Sequence, residues 1–213
     1  MKPVKGWDKA EPLPSRLSGK FSEFFKRKPV RRKLEESIYR LNSIREKLGE
    51  FAEKLERRDR EYLEKCMDAY SAGDEARARI YANECSEIRK MVRLVVGSQL
   101  AVEQAALRLE TIREFGDLAS VMPSVAKLVK SLKGKLENVF PEVSYELGRV
   151  DKSLGSLLDE FGEIPGETGL SFKPTSQEAE EILKAASVLA EQRIKEKLPG
   201  LPLEADEAST HHS

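Results

Sequence analysis

Apolar residues recur every seven positions through the first half of the chain, in two runs separated by a short polar break. The first run consists of Leu34, Leu41, Leu48, Leu55, Tyr62 and Ala69, and the second of Tyr81, Ile88, Val95, Val102 and Leu109. A sustained seven-residue repeat predicts a long helix that packs on another helix. Because only residues 71–74 separate the runs, we expect an antiparallel helical hairpin over residues 34–115.

The register of the predicted hairpin determines how far apart its two cysteines lie and which level its glycines occupy. With the turn centred between Ala72 and Gly73, the cysteines Cys66 and Cys85 lie about 9 Å apart along the axis, too far for a disulfide. Both lie at core positions of the heptad pattern, along the apolar seam where the two helices meet. We therefore predict that they are buried structural thiols. The same register brings the other two glycines of the hairpin, at positions 49 and 97, to one level. Close approach, bending and simple tolerance of the glycines all remain open.

Glycine and proline punctuate the pattern after Phe115, at Gly116, Pro123, Gly134 and Pro141. Residues 117–161 are therefore predicted to form shorter, jointed helices. Residues 162–175 hold three glycines and two prolines, which indicates a linker. Thr175 and Glu178 make a capping box, which predicts that residues 176–213 form a last helix followed by a polar tail. The predicted fold class is all-α: a long antiparallel helical hairpin, shorter helices and a flexible C-terminal tail.

Charge divides the chain into three parts although the net charge is zero. Residues 1–33 carry 11 Lys or Arg against 3 Asp or Glu, residues 34–133 carry 18 of each, and residues 134–213 carry 8 against 16. A basic head and an acidic tail attract each other, within a molecule or between molecules. An anionic membrane surface would compete for the head.

Residues 1–33 are predicted to form a basic amphipathic leader that binds membranes. Its apolar residues share one helical face and precede a basic run; the candidates are Leu17, Phe21, Phe24, Phe25, Lys26, Arg27, Lys28, Arg31, Arg32 and Lys33. Such a segment lies in the membrane interface with its cations against anionic headgroups. Alternatively, the apolar residues cap the hairpin and the basic run is solvated. Nucleic acid is disfavoured as a partner, because no recognition motif accompanies the basic residues.

Catalytic and secretory signals are missing from the sequence. It has no phosphate-binding glycine loop, no nucleophile elbow and no Cys/His set at metal-ligand spacing, so we predict neither an enzyme nor a cofactor or metal site. No apolar stretch approaches the roughly 18 residues that span a bilayer. The N-terminus lacks the apolar centre of a secretory signal, and a cytoplasmic protein is therefore expected.

A short proline-containing segment near the C-terminus is a candidate binding motif. It reads Leu198-Pro199-Gly200-Leu201-Pro202. The two prolines favour an extended backbone, from which Leu198 and Leu201 project as anchors for a groove in a partner.

Together these features resemble the ESCRT-III proteins, and most closely their archaeal cell-division branch, known as CdvB. The resemblance covers about residues 15–161 and includes local similarity at residues 119–123, 139–142 and 154–160. It implies a subunit whose acidic helices fold onto the hairpin until it opens and polymerises, with itself and with paralogues, on anionic lipids. The short polar end after Pro202 implies a paralogue without the C-terminal winged helix of some members.

The resemblance also implies partners and a function. Leu198, Pro199, Leu201 and Pro202 would bind the MIT domain of an AAA ATPase, and Gly116 would be the hinge for opening. We therefore expect a polymer subunit that constricts and cuts membranes from their inner face, in archaeal cell division or vesicle release. Two alternatives are a soluble coiled-coil adaptor and a phage-shock-type membrane-maintenance protein of the same superfamily.

Overall fold

Five helices follow one another along the chain in the computed structural model, which describes residues 27–115, 122–162 and 176–198. They are α1 (Lys28–Ser71), α2 (Glu75–Phe115), α3 (Met122–Leu136), α4 (Pro141–Gly162) and α5 (Ser176–Lys197). These described ranges contain no β-strand. The prediction of an all-α fold built on a long hairpin is confirmed.

The turn between α1 and α2 is fixed by a glycine and an aspartate. Gly73 has a φ of 74°, a left-handed conformation that glycine adopts without strain, and its N–H donates to the carbonyl oxygen of Tyr70 at 3.0 Å. The N–H of Asp74 donates to the carbonyl oxygen of Ala69 at 2.9 Å. The Asp74 carboxylate accepts from the N–H of Arg77 at 3.1 Å and so caps α2. This geometry reverses the chain within three residues.

Prolines begin helices here, and one of the expected breaks is absent. Pro29 and Pro123 lie in the first turns of α1 and α3, and Pro141 is the first residue of α4. At these positions the missing N–H costs no helical hydrogen bond. The first helix consequently starts at Lys28, before the expected position 34. The break predicted at Gly134 is wrong, because α3 continues to Leu136, whose side chain is fully buried.

The shorter helices build a bundle on the open end of the hairpin. α4 packs on α1, α3 packs on α4 and α2, and α5 packs on α2 and α3. Ser144 at the start of α4 donates its hydroxyl to the carbonyl oxygen of Lys133 at 3.0 Å, which ties α4 to α3. The rings of Phe51 and Phe140 lie 4.7 Å apart where the α3–α4 turn meets α1. One continuous apolar core therefore includes all five helices.

A buried ion pair separates this main core from a smaller apolar cluster near the hairpin turn. The cluster consists of Leu63, Cys66, Ala69, Ala78, Ala82 and Cys85. Between the two cores, Arg89 donates from Nε and Nη2 to the two carboxylate oxygens of Asp59, at 2.9 and 3.0 Å. The side chain of Asp59 is fully buried. A bidentate pair at one level of the seam fixes the register of α1 against α2.

The cysteines and glycines contribute to packing in different ways. Cys66 and Cys85 are free and buried, as predicted, and burial raises the pKa of Cys85 to about 11. Gly49 and Gly97 do not face each other. A methyl group at Gly49 would lie 3.0 Å from the side chain of Gln99, whereas one at Gly97 would lie 3.9 Å from Cβ of Ala190. Gly97 therefore allows α5, rather than α1, to approach α2 closely.

We expect Asp59→Ala to lower the free energy of unfolding by about 3–5 kcal/mol, because it leaves the Arg89 guanidinium buried without its carboxylate. The double variant Asp59→Leu/Arg89→Leu removes both charges and should recover most of that loss. Chemical denaturation of the single and double variants measures both values. A double variant less stable than Asp59→Ala would contradict a mainly electrostatic role for the pair.

Candidate functional site

Three basic side chains on α1 lie seven residues apart and face α4. They are Lys33, Arg40 and Lys47, and their spacing places them on one side of the helix. Their partners on α4 are Glu160, Glu146 and Glu142, in that order. Since the partners descend in number as the basic residues ascend, α4 runs antiparallel to the first half of α1. We call these three ion pairs the charge ladder.

The ladder combines ion pairs with short hydroxyl contacts. Lys47 Nζ lies 2.7 Å from Glu142 Oε1, and Arg40 Nη1 lies 3.1 Å from Glu146 Oε2. Lys33 Nζ pairs with Glu160 and also donates to the hydroxyl of Ser156 at 3.0 Å.

Two small hydroxyl side chains let the helices approach between the ion pairs. Ser37 is buried, and its Oγ lies 3.1 Å from that of Ser153 on α4. The Ser37 hydroxyl also donates to the carbonyl oxygen of Lys33 within α1, at 2.8 Å. Polar contacts thus continue along the α1–α4 interface from Lys33 to Lys47.

The ladder perturbs the ionisation of its members. The hydrogen bond from Lys33 lowers the pKa of Glu160, and the positive charge of Arg27 adds a smaller effect in the same direction. The hydrogen bond from Lys47 lowers the pKa of Glu142, and the same bond raises the pKa of Lys47. All six side chains keep some exposure to solvent, between 21% and 71%. Such pairs are individually weak and are screened by salt, so the ladder is the part of the α1–α4 interface most sensitive to ionic strength.

The predicted membrane-binding residues are divided by the limits of the described structure. Leu17, Phe21, Phe24, Phe25 and Lys26 lie outside it, as does the predicted hinge Gly116. Arg27 precedes α1 and Lys28 begins it. Arg31 forms an exposed ion pair with Glu35 one turn later in α1. Lys33 is engaged by α4, and Arg32 is exposed. Part of the basic run thus faces the acidic end of α4.

The candidate tail motif begins inside the core. Leu198 is only 6% exposed and packs with the apolar cluster, whereas Pro199, Leu201 and Pro202 lie outside the described residues. Just before it, Lys197 Nζ lies 3.0 Å from Glu56 Oε1 of α1. A cavity of 180 Å³ opens beside Leu198 between α1, α2 and α5. The last turn of α5 therefore packs against the hairpin and forms an ion pair with the middle of α1.

The apolar face of α5 consists mainly of small residues. Ala179, Ile182, Ala186, Ala190 and Ile194 are buried, whereas Leu189 is 45% exposed. Alanines opposite Gly97 allow the two helices to pack closely but bury little apolar area. α5 is thus held by a different interaction from α4.

The ladder pairs were missed at the level of sequence, although a signal was present. Lys33, Arg40 and Lys47 repeat at the same period as the apolar seam, one position before Leu34, Leu41 and Leu48. That offset marks the flank of a helix–helix contact, where charged residues select a partner. The sequence did not indicate which acidic residues face them.

Within the described ranges, no helix has the length and apolar character needed to cross a membrane. Nor do those ranges hold a group of three or more His, Cys, Asp or Glu side chains placed to bind a metal ion.

The fold is thus a helical hairpin carrying docked C-terminal helices, and comparison with known proteins assigns its family. The chain is 39% identical to Cell division protein B1 of Sulfolobus acidocaldarius over 174 residues, which is 82% of this chain and 81% of that protein. It is 33% identical to Cell division protein B of the same organism over 165 residues, 76% of this chain and 62% of that protein. No family model and no solved structure matches the sequence. The chain belongs to the archaeal CdvB family of ESCRT-III proteins.

We expect Arg40→Glu to loosen α4, because it places a carboxylate opposite Glu146. Amide hydrogen exchange of residues 143–160 should become roughly tenfold faster, while exchange in the α1–α2 seam near Asp59 stays unchanged. The charge-swapped variant Arg40→Glu/Glu146→Arg should recover protection of α4. Arg79→Glu, which alters an exposed pair near the turn, is the matched control. Equal exchange in the single and swapped variants would show that the pair does not hold α4.

Docking of α4 should also depend on pH. The pKa values of Glu142 and Glu160 are lowered when α4 is docked, because docking favours their ionised forms. Their contribution to the stability of docked α4 is therefore complete above the ordinary carboxyl pKa of 4.5. It is lost as the pH falls through the lowered pKa values. Hydrogen exchange across an acid titration should show α4 losing protection before the α1–α2 seam. A loss of protection centred near the ordinary histidine pKa of about 6.5 would contradict this assignment.

Proposed function

We propose that the chain is a membrane-remodelling polymer subunit that acts in archaeal cell division, and that the described structure is its closed monomer. The observation that carries this proposal is the charge ladder. It joins the basic start of the hairpin to an acidic helix by three pairs that water and salt can reach.

The ladder makes membrane binding and closure compete for the same charges. Lys33 belongs to the basic run proposed to bind headgroups, and it is the residue that pairs with Glu160. Arg27, from the same run, acts electrostatically on Glu160. A near-surface Lys or Arg gains about 1 kcal/mol from an anionic leaflet, while an exposed ion pair is worth about 0.2–1 kcal/mol. Because these energies are similar, several basic residues at a membrane can offset the loss of the ladder, whereas the buried apolar face of α4 needs another surface to cover it.

Release of α4 would expose an apolar surface that subunits share in a polymer. Val143, Leu147, Val150, Leu154 and Leu157 of α4 are all buried in the closed state. Opening about Gly116, followed by packing of these faces between subunits, would convert the monomer into a filament. Paralogues of the same family are expected to join it, because they share the hairpin.

The tail would recruit the ATPase only from an opened subunit. Leu198 is the first anchor of the proposed MIT-binding motif and is buried against the hairpin in the closed state. The MIT domain and the hairpin would therefore compete for this residue. We infer that the ATPase acts on assembled, opened subunits at the inner face of the membrane.

We expect Glu142→Gln/Glu146→Gln/Glu160→Gln to promote assembly without a membrane, since it removes the acidic half of the ladder. Negative-stain electron microscopy should show filaments at protein concentrations where the wild type shows none. Glu61→Gln/Glu64→Gln/Asp68→Asn neutralises three exposed acidic residues of α1 outside the ladder and is the control. A triple ladder variant that remains monomeric would contradict the proposal that the charge ladder holds the subunit closed.

Binding of the leader to membranes can be tested separately by co-sedimentation with vesicles. Wild type should pellet with anionic vesicles, and Phe21→Asp/Phe24→Asp/Phe25→Asp should not, because the leader then lacks its apolar face. Phe51→Asp is unsuitable as a control because it alters packing against Phe140. Tyr39→Asp, at a side chain that is 74% exposed on α1, is the better one. Equal pelleting of wild type and the leader variant would show that the leader does not bind the membrane, and a wild type that does not pellet would favour a soluble adaptor.

A further inference from the structure

The solvent-facing side of α1 carries charges that are arranged symmetrically about Tyr39. Arg32 lies seven residues before Tyr39, and Glu46 lies seven residues after it. Lys28 and Glu50 lie eleven residues before and after it. Seven and eleven residues are close to whole numbers of helical turns, so these five side chains share one side of α1. We call them the α1 strip, which is basic in its first half and acidic in its second.

The strip is accessible in the closed structure. All five of its residues are exposed, and the side chain at its centre, Tyr39, is 74% exposed. The opposite side of α1, which includes Val30 and Leu48, is buried in the main core. Among the residues that the structure describes, no opposite charge lies within ion-pair distance of the four charged members. The strip is thus an exposed surface whose charges have no partner within the described part of the molecule.

A second copy of the strip, running in the opposite direction, is complementary to the first. Tyr39 then faces Tyr39 of the second copy, and Arg32 faces Glu46. One turn further out, Lys28 faces Glu50, and two-fold symmetry repeats both ion pairs. A parallel pairing in register would instead place like charges opposite each other along the whole strip. Tyrosine is enriched at the centre of protein interfaces, so its position on the axis also fits a contact between copies.

The groups beside the strip are compatible with this antiparallel register. Glu35 and Glu36 already form ion pairs with arginines of α1. In the antiparallel register they face the neutral side chains of Ser43 and Asn42. Arg149 of α4 acts electrostatically on Glu36 and pairs with a glutamate of its own helix at 3.7 Å. No unpaired charge therefore meets a like charge near the axis among these neighbours.

We propose that two closed subunits bind each other through their α1 strips, in an antiparallel dimer centred on Tyr39. The inference goes beyond the proposed function, because this contact needs neither a membrane nor the release of α4. A two-fold contact is closed, so it gives a dimer and not a filament. Its ion pairs are weakened by salt. Lys28 and Arg32 also belong to the basic run predicted to bind membranes, so an anionic surface would compete with the second copy for them.

Charge reversal in the full-length protein tests the pairing. Lys28→Glu/Arg32→Glu and Glu46→Lys/Glu50→Lys each place like charges opposite each other in a homodimer. Sedimentation equilibrium at low ionic strength should therefore give dissociation constants roughly tenfold above that of the wild type. An equimolar mixture of the two variants should dimerise like the wild type, as should one chain with all four substitutions, because every contact again joins opposite charges. The control Glu61→Lys/Glu64→Lys, at exposed positions of α1 outside the strip, should also dimerise normally.

A cysteine at the centre of the strip tests the direction of the pairing. An antiparallel contact centred on position 39 brings the two thiols of Tyr39→Cys within reach of each other. Mild oxidation should then link the copies at least roughly tenfold faster than it links Glu61→Cys, whose position lies outside the strip. The native Cys66 and Cys85 are buried, so they react slowly under these conditions.

The outcomes separate this dimer from its alternatives. A wild type that stays monomeric at low ionic strength would overturn the proposal, as would variants that dimerise normally or a mixture that does not dimerise. Cross-linking of Glu61→Cys as fast as that of Tyr39→Cys would place the contact elsewhere. Loss of vesicle binding by Lys28→Glu/Arg32→Glu, with a monomeric wild type, would make the basic half of the strip a lipid-binding surface. A wild type that dimerises but forms no filaments on anionic vesicles would contradict only the proposed function, and filaments without a dimer would contradict only this contact.

Discussion

The seam between α1 and α2 is the constraint on which the other contacts depend. Its register is fixed at one end by the turn at Gly73 and in the middle by the buried pair of Asp59 and Arg89. A shift of α1 along α2 would strand both charges in an apolar environment, which costs more than the surface pairs can return. With the register fixed, Lys33, Arg40 and Lys47 keep fixed positions on the surface of the hairpin. The position of α4 is then favoured in which all three pair with its carboxylates.

The two docked helices are held by different physical interactions, and this suggests that they respond to different signals. α4 is held partly by half-exposed ion pairs, which salt, acid or an anionic surface weakens. α5 is held by alanines against Gly97, by Leu198 and by the pair of Lys197 with Glu56. A competing apolar partner would displace α5 more readily than a change in ionic strength. A closed subunit can thus react to the membrane through α4 and to a tail-binding partner through α5.

Much of the fold could be predicted from the sequence, because the heptads and the turn are local or periodic signals. The hairpin, the antiparallel direction and the buried cysteines follow from that periodicity. The position of α4 does not, since many acidic residues could face Lys33, Arg40 and Lys47, and tertiary packing selects among them. Gly97 shows the same limit: the sequence leaves close approach, bending and simple tolerance open, and only the fold shows a close approach with α5 as the neighbour. Asp59 looks like an interruption of the apolar row until Arg89 is seen beside it.

In the proposed function, α4 leaves α1 when the protein assembles on a membrane. Spin labels at Ser43→Cys on α1 and Lys152→Cys on α4 would report the separation of the two helices by pulsed electron paramagnetic resonance. Cys66 and Cys85 are buried with raised pKa values, so they react slowly with the label. We predict one short distance for the protein in solution and a longer distance on anionic vesicles. An unchanged short distance in vesicle-bound filaments would contradict the account.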